Sequence, residues 1–261
     1  SETHDFEGAA LLDENTILLS EEDTPSIHAY DLATGKKRFD LLIPKIFDRS
    51  NIVKNQGFES LTLAPDKQTL FTSPERALIS DGNTKLIAEP FTSSTRCRIQ
   101  QYARNAAPPG QARGFSPGSQ FLYPTSGVHA FAGQIGLCDL VALDDHHLIA
   151  LERSAAETLD RKPSIRTRIF YADTTSATDI SNLPSLKDQH PTPVTKTLLF
   201  DNFIFDANGE NLEGLCQGPT FSPTRRILLG VVDNTDGIHV SETRLAAFEL
   251  LLPQNLPASQ P

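Results

Sequence analysis

At 261 residues the chain is long enough for one large all-β domain or two small ones. Its net charge of −10 argues against a nucleic-acid backbone as the main partner, because that surface demands a basic footprint. No apolar run approaches the ~18 residues that span a bilayer. The first residues from Ser1 are polar and carry no signal-peptide pattern, as a processed or a trimmed start would both show.

The opening stretch, Asp5 to Glu22, reads DFEGAALLDENTILLSEE. Alternating apolar residues on both sides of a polar turn predict a two-stranded hairpin. Ser26 to Leu32 and Arg38 to Ile43 predict two further strands, so the first unit has four. The pattern returns at Gly57 to Glu75, GFESLTLAPDKQTLFTSPE. There Arg98 to Ala103 supplies a third strand and Gln120 to Thr125 a fourth, with a Pro- and Gly-rich loop from Asn105 to Gly118 between them.

The third unit is Gly136 to Arg153, GLCDLVALDDHHLIALER. Ser154 followed three residues later by Glu157 fits a capping box and predicts a short helical turn. Thr167 to Asp173 and Lys196 to Asp201 are its outer strands, and Thr174 to Pro193 is expected to be a mobile polar loop. The fourth unit begins at Asn211 and includes Arg225 to Asn234 and Arg244 to Leu250. One domain is expected over 1–252, with 253–261 as a disordered tail. Repeated modules of four short strands predict a β-propeller of four-stranded antiparallel blades. Its interior is expected to include Leu61, Leu63, Val141, Leu143, Ile227 and Leu229.

An acid opens the first strand of each unit: Glu7, Glu59, Asp139 and Glu213. A second acid stands near the end of the next strand: Glu22, Glu75, Glu152 and Asp233. Antiparallel pairing puts both at the same end of each hairpin. In a propeller the first strands line the central channel, so these acids are expected to converge on its mouth. Like charges ~4 Å apart repel by roughly 4 kcal/mol at an effective dielectric of ~20, so such a ring must take a cation, take protons or stay apart in water. Hard oxygen ligands favour Ca²⁺ over zinc.

On this reading Glu7, Glu59, Asp139, Glu213 and Asn234 are the metal ligands. Glu22, Glu75 and Glu152 are candidate general bases, and Arg153 and Asp233 candidate substrate ligands. The bland alternatives are capped strand ends for the acids and a salt bridge for Arg153. The three cysteines, Cys97, Cys138 and Cys216, fit no zinc spacing and read as small buried hydrophobes. No nucleophile elbow and no phosphate-cradling Gly-rich loop is present.

The motifs DFEG, SEEDTPSI, NQGFESLTLAPDKQTLF, CDLVALDDHHLIALER, NLEGL, LLGVVDN and TRLAAFEL occur in this order. Through them the chain resembles the phytase-like family, "esterase-like activity of phytase". The resemblance implies a secreted or periplasmic β-propeller, with five or six blades in the full family fold, that acts as a phosphatase or esterase. Gln56 stands where the family often has Arg, which weakens a phosphate clamp at that position. The residues and the resemblance together predict a monomeric, Ca²⁺-dependent hydrolase of small anionic esters. The competing expectation is a non-catalytic propeller that binds a ligand or protein and holds a structural cation.

Overall fold

A computed structural model describes residues 4–82, 94–105, 114–129, 132–157, 163–203, 211–222, 225–233 and 243–252. Asn234 and the 253–261 tail lie outside the described residues. The described chain is all-β apart from three single-turn 3-10 segments. Among the described residues no helix is long and apolar enough to cross a membrane. Four antiparallel sheets stand in a ring as the blades of a propeller.

Blade one contains β1 (Phe6–Asp13), β2 (Thr16–Glu21), β3 (Ser26–Asp31) and β4 (Lys37–Asp40). Blade two contains β5 (Phe58–Leu63), β6 (Thr69–Pro74), β7 (Arg96–Arg104) and β8 (Phe115–Pro124). Blade three contains β9 (Gln134–Ala142), β10 (His147–Glu157), β11 (Pro163–Asp173) and β12 (Thr195–Asp201). Among the described residues blade four has three strands, β13 (Leu212–Ser222), β14 (Arg225–Val232) and β15 (Arg244–Leu251). The first strands are innermost: β1 packs on β5, β5 on β9 and β9 on β13.

Strand alternation explains the cores. Side chains on successive residues point to opposite sheet faces, so a blade between two neighbours needs apolar residues on both. Ala10, Leu12 and Leu18 of blade one meet Phe58, Leu61 and Leu70 of blade two. Phe71, Ile99 and Tyr123 on the other face of blade two meet Leu140, Ala150 and Phe170 of blade three. Val141, Ile149 and Ile169 then meet Leu228, Val232 and Leu250 of blade four.

Among the described residues no such cluster joins blade four to blade one. This corrects the expected core. Leu229 is 40% exposed and Ile227 half-buried, because in β14 the residues facing blade three are Leu228, Gly230 and Val232. Leu245 at 84% exposure and Leu11 at 56% lie on the same uncovered faces.

Two further expectations change. Residues 154–157 are not a helical turn, because β10 continues through them in register with β11. The 174–193 segment is not a loose loop but a strap across blade two. Ile180 N donates to Gln120 O at 2.9 Å and Val194 N to Leu122 O at 3.0 Å. Ile180 and Leu186 pack on Leu122. The fully buried Arg98 donates to both Asp81 carboxylate oxygens and to the carbonyls of Ile180 and Leu183. The strap thus covers an edge strand, β8, that would otherwise present unpaired main-chain groups.

Leu61 is 3% exposed in the interface between blades one and two. Leu61→Ala is expected to cost about 2–5 kcal/mol in urea unfolding through lost transfer energy and a residual cavity. Leu245→Ala should change stability by less than about 0.5 kcal/mol. Equal effects at the two positions would contradict the blade assignment.

Candidate functional site: a bulged acidic hub

A β-bulge sits at the same place in each inner strand. In blade two Phe58 faces Pro74 and Ser60 faces Ser73, so Glu59 is the extra residue. In blade four Leu212 faces Val232 and Gly214 faces Val231, so Glu213 is extra. In blade one Phe6 faces Glu21 and Ala9 faces Leu19, while Gly8 N donates to Ser20 Oγ, which leaves Glu7 extra. A bulge turns its unpaired side chain away from the regular alternation. Here it frees a carboxylate from both blade faces and turns it towards the axis.

The residues that face these positions also repeat. Glu22 N donates to Asp5 O, Glu75 N to Gly57 O and Asp233 N to Asn211 O. Asp5, Gly57 and Asn211 are therefore equivalent, and so are Glu22, Glu75 and Asp233.

Blade three departs from the sequence reading. Leu137 faces Glu152 and Asp139 faces Leu151, so the bulged residue is Cys138, not Asp139. Arg153, opposite Gly136, takes the position of Glu22, Glu75 and Asp233. The expected ring of four first-strand acids is thus three acids and a thiol. A one-residue offset on a strand moves a side chain to the other face. Asp139 accordingly leaves the hub and accepts from Leu140 N and, across the interface, from Leu215 N. Burial raises its pKa to about 7 against those two hydrogen bonds. Glu152 is fully buried on the face towards blade two. It accepts from Tyr123 Oη, Ser126 N and Lys196 Nζ, and it is a structural anchor rather than a hub base.

The hub therefore collects Asp5, Glu7, Glu22, Glu59, Glu75, Glu213 and Asp233 around Arg153. Asp5 was not expected from the sequence. The visible signal was its place two residues before Glu7, matching Gly57 before Glu59 and Asn211 before Glu213. Ligand oxygens of Asp5, Glu7 and Glu22 all lie within 4.8 Å of one another. Arg153 pairs with Glu213 and donates to Asn211 Oδ1, and Asn211 Nδ2 reaches Glu213 and Asp233. Arg76 directly follows Glu75 and acts on the same carboxylate.

Crowding shifts these groups. Partial burial, then Glu22, Asp5, Glu213 and Asp233, push Glu7 up to about 7, although the residue is exposed. Burial pushes Glu22 up to about 7, with Glu75 and Asp5 adding to it, against hydrogen bonds from Glu59 and from Gly57 N. Glu59 rises far above the carboxylate range through burial and then Glu75, Glu22 and Glu7, so it stays protonated and bonds to Glu22. Glu75 is also raised by burial, while Arg153 and Arg76 pull it back. Burial pushes the Cys138 thiol well up. Burial alone would lower the Arg153 guanidinium, but Cys138, Glu213 and Glu75 hold it charged.

Two glycines let the blades approach this closely. A Cβ on Gly57 would collide with the Glu22 carbonyl, and one on Gly136 with the Glu75 carboxylate.

The fold and hub define a class: a β-propeller with an acidic axial site. The family model for phytase-like proteins, described as esterase-like activity of phytase, matches residues 1–235. The chain belongs to this family. No curated protein matches it.

The sign of the shifts predicts a pH dependence. Carboxyls whose folded pKa is raised favour the folded state below their ordinary value of 4.5. That contribution is lost as pH rises through about 7. Chelator-treated protein should therefore show a falling melting temperature between pH 5 and pH 8, on the order of a few degrees. Glu7→Gln should flatten the fall. A melting temperature that rises across this range would contradict the crowded hub. Gly57→Ala, which meets main chain, should lower stability more than Gly136→Ala, which meets a side chain that can turn.

Proposed function

We propose that the hub is a Ca²⁺-dependent hydrolytic site for small anionic esters, phosphoric or carboxylic. The observation that carries this reading is the Asp5, Glu7 and Glu22 cluster, whose oxygens converge within 4.8 Å of one another. Three carboxylates with no His or Cys among them suit a hard cation, and Asp5, Glu7 and Glu22 would hold it. Bound there, Ca²⁺ would polarise the ester and lower the pKa of a coordinated water. Arg153 would orient the substrate anion, a role that planar paired donors suit. Protonated Glu59 is in the state needed to give a proton to the leaving alkoxide. Glu75, raised by burial while Arg153 and Arg76 act against that rise, is the candidate base for water.

One observation favours the alternative, a ligand-binding propeller with a structural cation. Arg153 is already engaged by Glu213 and Asn211, and burial pushes the Cys138 thiol well up, so among the described residues the hub displays no thiolate nucleophile.

The test is hydrolysis of p-nitrophenyl phosphate and p-nitrophenyl acetate with Ca²⁺ and with chelator. Turnover of at least one ester should depend on Ca²⁺. Glu59→Gln should lower kcat by about 10²–10⁴-fold while the protein stays folded. Rates that ignore both chelator and Glu59→Gln would leave the binding-propeller reading.

A further inference from the structure

A cavity of about 260 Å³ opens beside the hub, where blades one and two meet. Glu22, a member of the Asp5, Glu7 and Glu22 cluster, forms one of its walls. The rest comes from Asp23, from residues 49–55 in the crossover between β4 and β5, and from Ile79. All of these lie at the hub end of the ring. There β2 ends at Glu21, β6 ends at Pro74, and the crossover enters β5 just before Glu59. The cavity and the acidic cluster therefore share a wall.

Hydrogen bonds fix the other walls. Two single-turn 3-10 segments, Lys45–Phe47 and Arg49–Asn51, shape the crossover. Asp48 caps the second by accepting from Ser50 N at 2.9 Å and from Ser50 Oγ at 2.6 Å. Phe47 is buried against Phe58. Asn51 bridges to blade two, where its Nδ2 donates to Ser80 Oγ at 2.9 Å and its Oδ1 accepts from Ser80 N at 2.8 Å. Both sides of the cavity are thus pinned to each other, and a ligand need not order them.

The lining divides in two. Ile52, Val53 and Ile79 supply apolar surface, and Arg49 and Lys54 supply cations. Arg49 Nη1 stands 3.9 Å from Asp23 Oδ1, beyond hydrogen-bond reach, so its donors stay available to a ligand. Lys54 is exposed, and among the described residues no hydrogen bond or ion pair holds its ammonium. With Glu22 taken up by the hub cation, Arg49 and Lys54 outnumber Asp23 by one positive charge. In a chain of net charge −10, this excess beside the acidic cluster favours an anion.

We propose that this cavity is the subsite for the alcohol part of the ester, and that it selects an apolar, ring-sized group carrying an anionic substituent. The proposal rests on the hydrolytic reading of the hub. An apolar cavity of roughly 150 Å³ holds a benzene molecule, so 260 Å³ has room for a substituted ring. The ring would lie on Ile52, Val53 and Ile79, with the ester oxygen towards Glu22 and the substituent towards Lys54 and Arg49. A polyol ester would leave that apolar surface uncovered. Esters formed through the phenolic oxygen of a hydroxylated aromatic acid meet both demands.

The test reads binding apart from turnover. Calorimetric titrations compare 4-hydroxybenzoate, the alcohol product of such an ester, with phenol at the same ionic strength and Ca²⁺ concentration. 4-Hydroxybenzoate should bind saturably and about fivefold more tightly than phenol. Lys54→Gln should bring the two within about twofold. Ile79→Asp, at a position 38% exposed and so tolerant of the change, should abolish the binding of both. In turnover, 4-carboxyphenyl phosphate or acetate should show a KM about fivefold below that of the matching phenyl ester, and Lys54→Gln should erase the difference. Equal binding of the two ligands by the wild type, or binding of 4-hydroxybenzoate that survives Ile79→Asp, would overturn the proposal. Binding as predicted with no turnover of any ester would fault the hydrolytic reading of the hub while supporting the selectivity of the cavity.

Discussion

The molecule depends on one recurring constraint, a single extra residue in each innermost strand. Without the bulge, Glu7, Glu59 and Glu213 would alternate into the apolar faces between blades. Burying an ionised carboxylate there without a partner would cost several kcal/mol. With it, each acid is shed towards the axis, and the residues on both sides resume the alternation that builds the cores. The same device thus protects the blade interfaces and assembles the hub.

The charge on the hub follows from that geometry. Burial and neighbouring carboxyls raise Glu7, Glu22 and, furthest of the three, Glu59. Blade three breaks the repeat in a useful way. Cys138 removes one carboxylate and Arg153 replaces another with a cation. The ring is therefore polar across its axis, with three converging carboxylates on the blade-one side and a guanidinium on the blade-three side. A charge separation of this kind can hold a cation and the anionic group it polarises together.

Much of this was legible in the sequence. Alternation and turns gave the hairpins, and the position of Glu7, Glu59, Glu213, Glu22, Glu75 and Asp233 at one end of each hairpin followed from antiparallel pairing. The errors came from phase. Asp139 and Glu152 look like the repeat's acids when spacing is counted from Leu140, but the bulge at Cys138 shifts both by one residue. Matching Gly136-Leu137-Cys138 to Gly57-Phe58-Glu59 would have found Cys138 and Arg153. The same phase problem affected β14, where Leu228 rather than Leu229 is buried. An apolar residue on each face reads identically until a neighbouring blade covers one of them. The strap over blade two was illegible for another reason. Its anchor, Arg98 with Asp81, joins residues distant in sequence, and polar loops that use main-chain bonds leave little pattern.

The most direct test of the central claim is calorimetric titration of Ca²⁺ at pH 7 in two buffers of different ionisation enthalpy. If bulged acids crowd one site and are partly protonated, Ca²⁺ must displace protons from Glu7 and Glu22 as it binds. The account predicts saturable binding with net proton release, which shrinks as pH rises above 8 and disappears with the binding in Glu22→Gln. Absence of Ca²⁺ binding in the folded protein, or binding with no buffer dependence at pH 7, would contradict it.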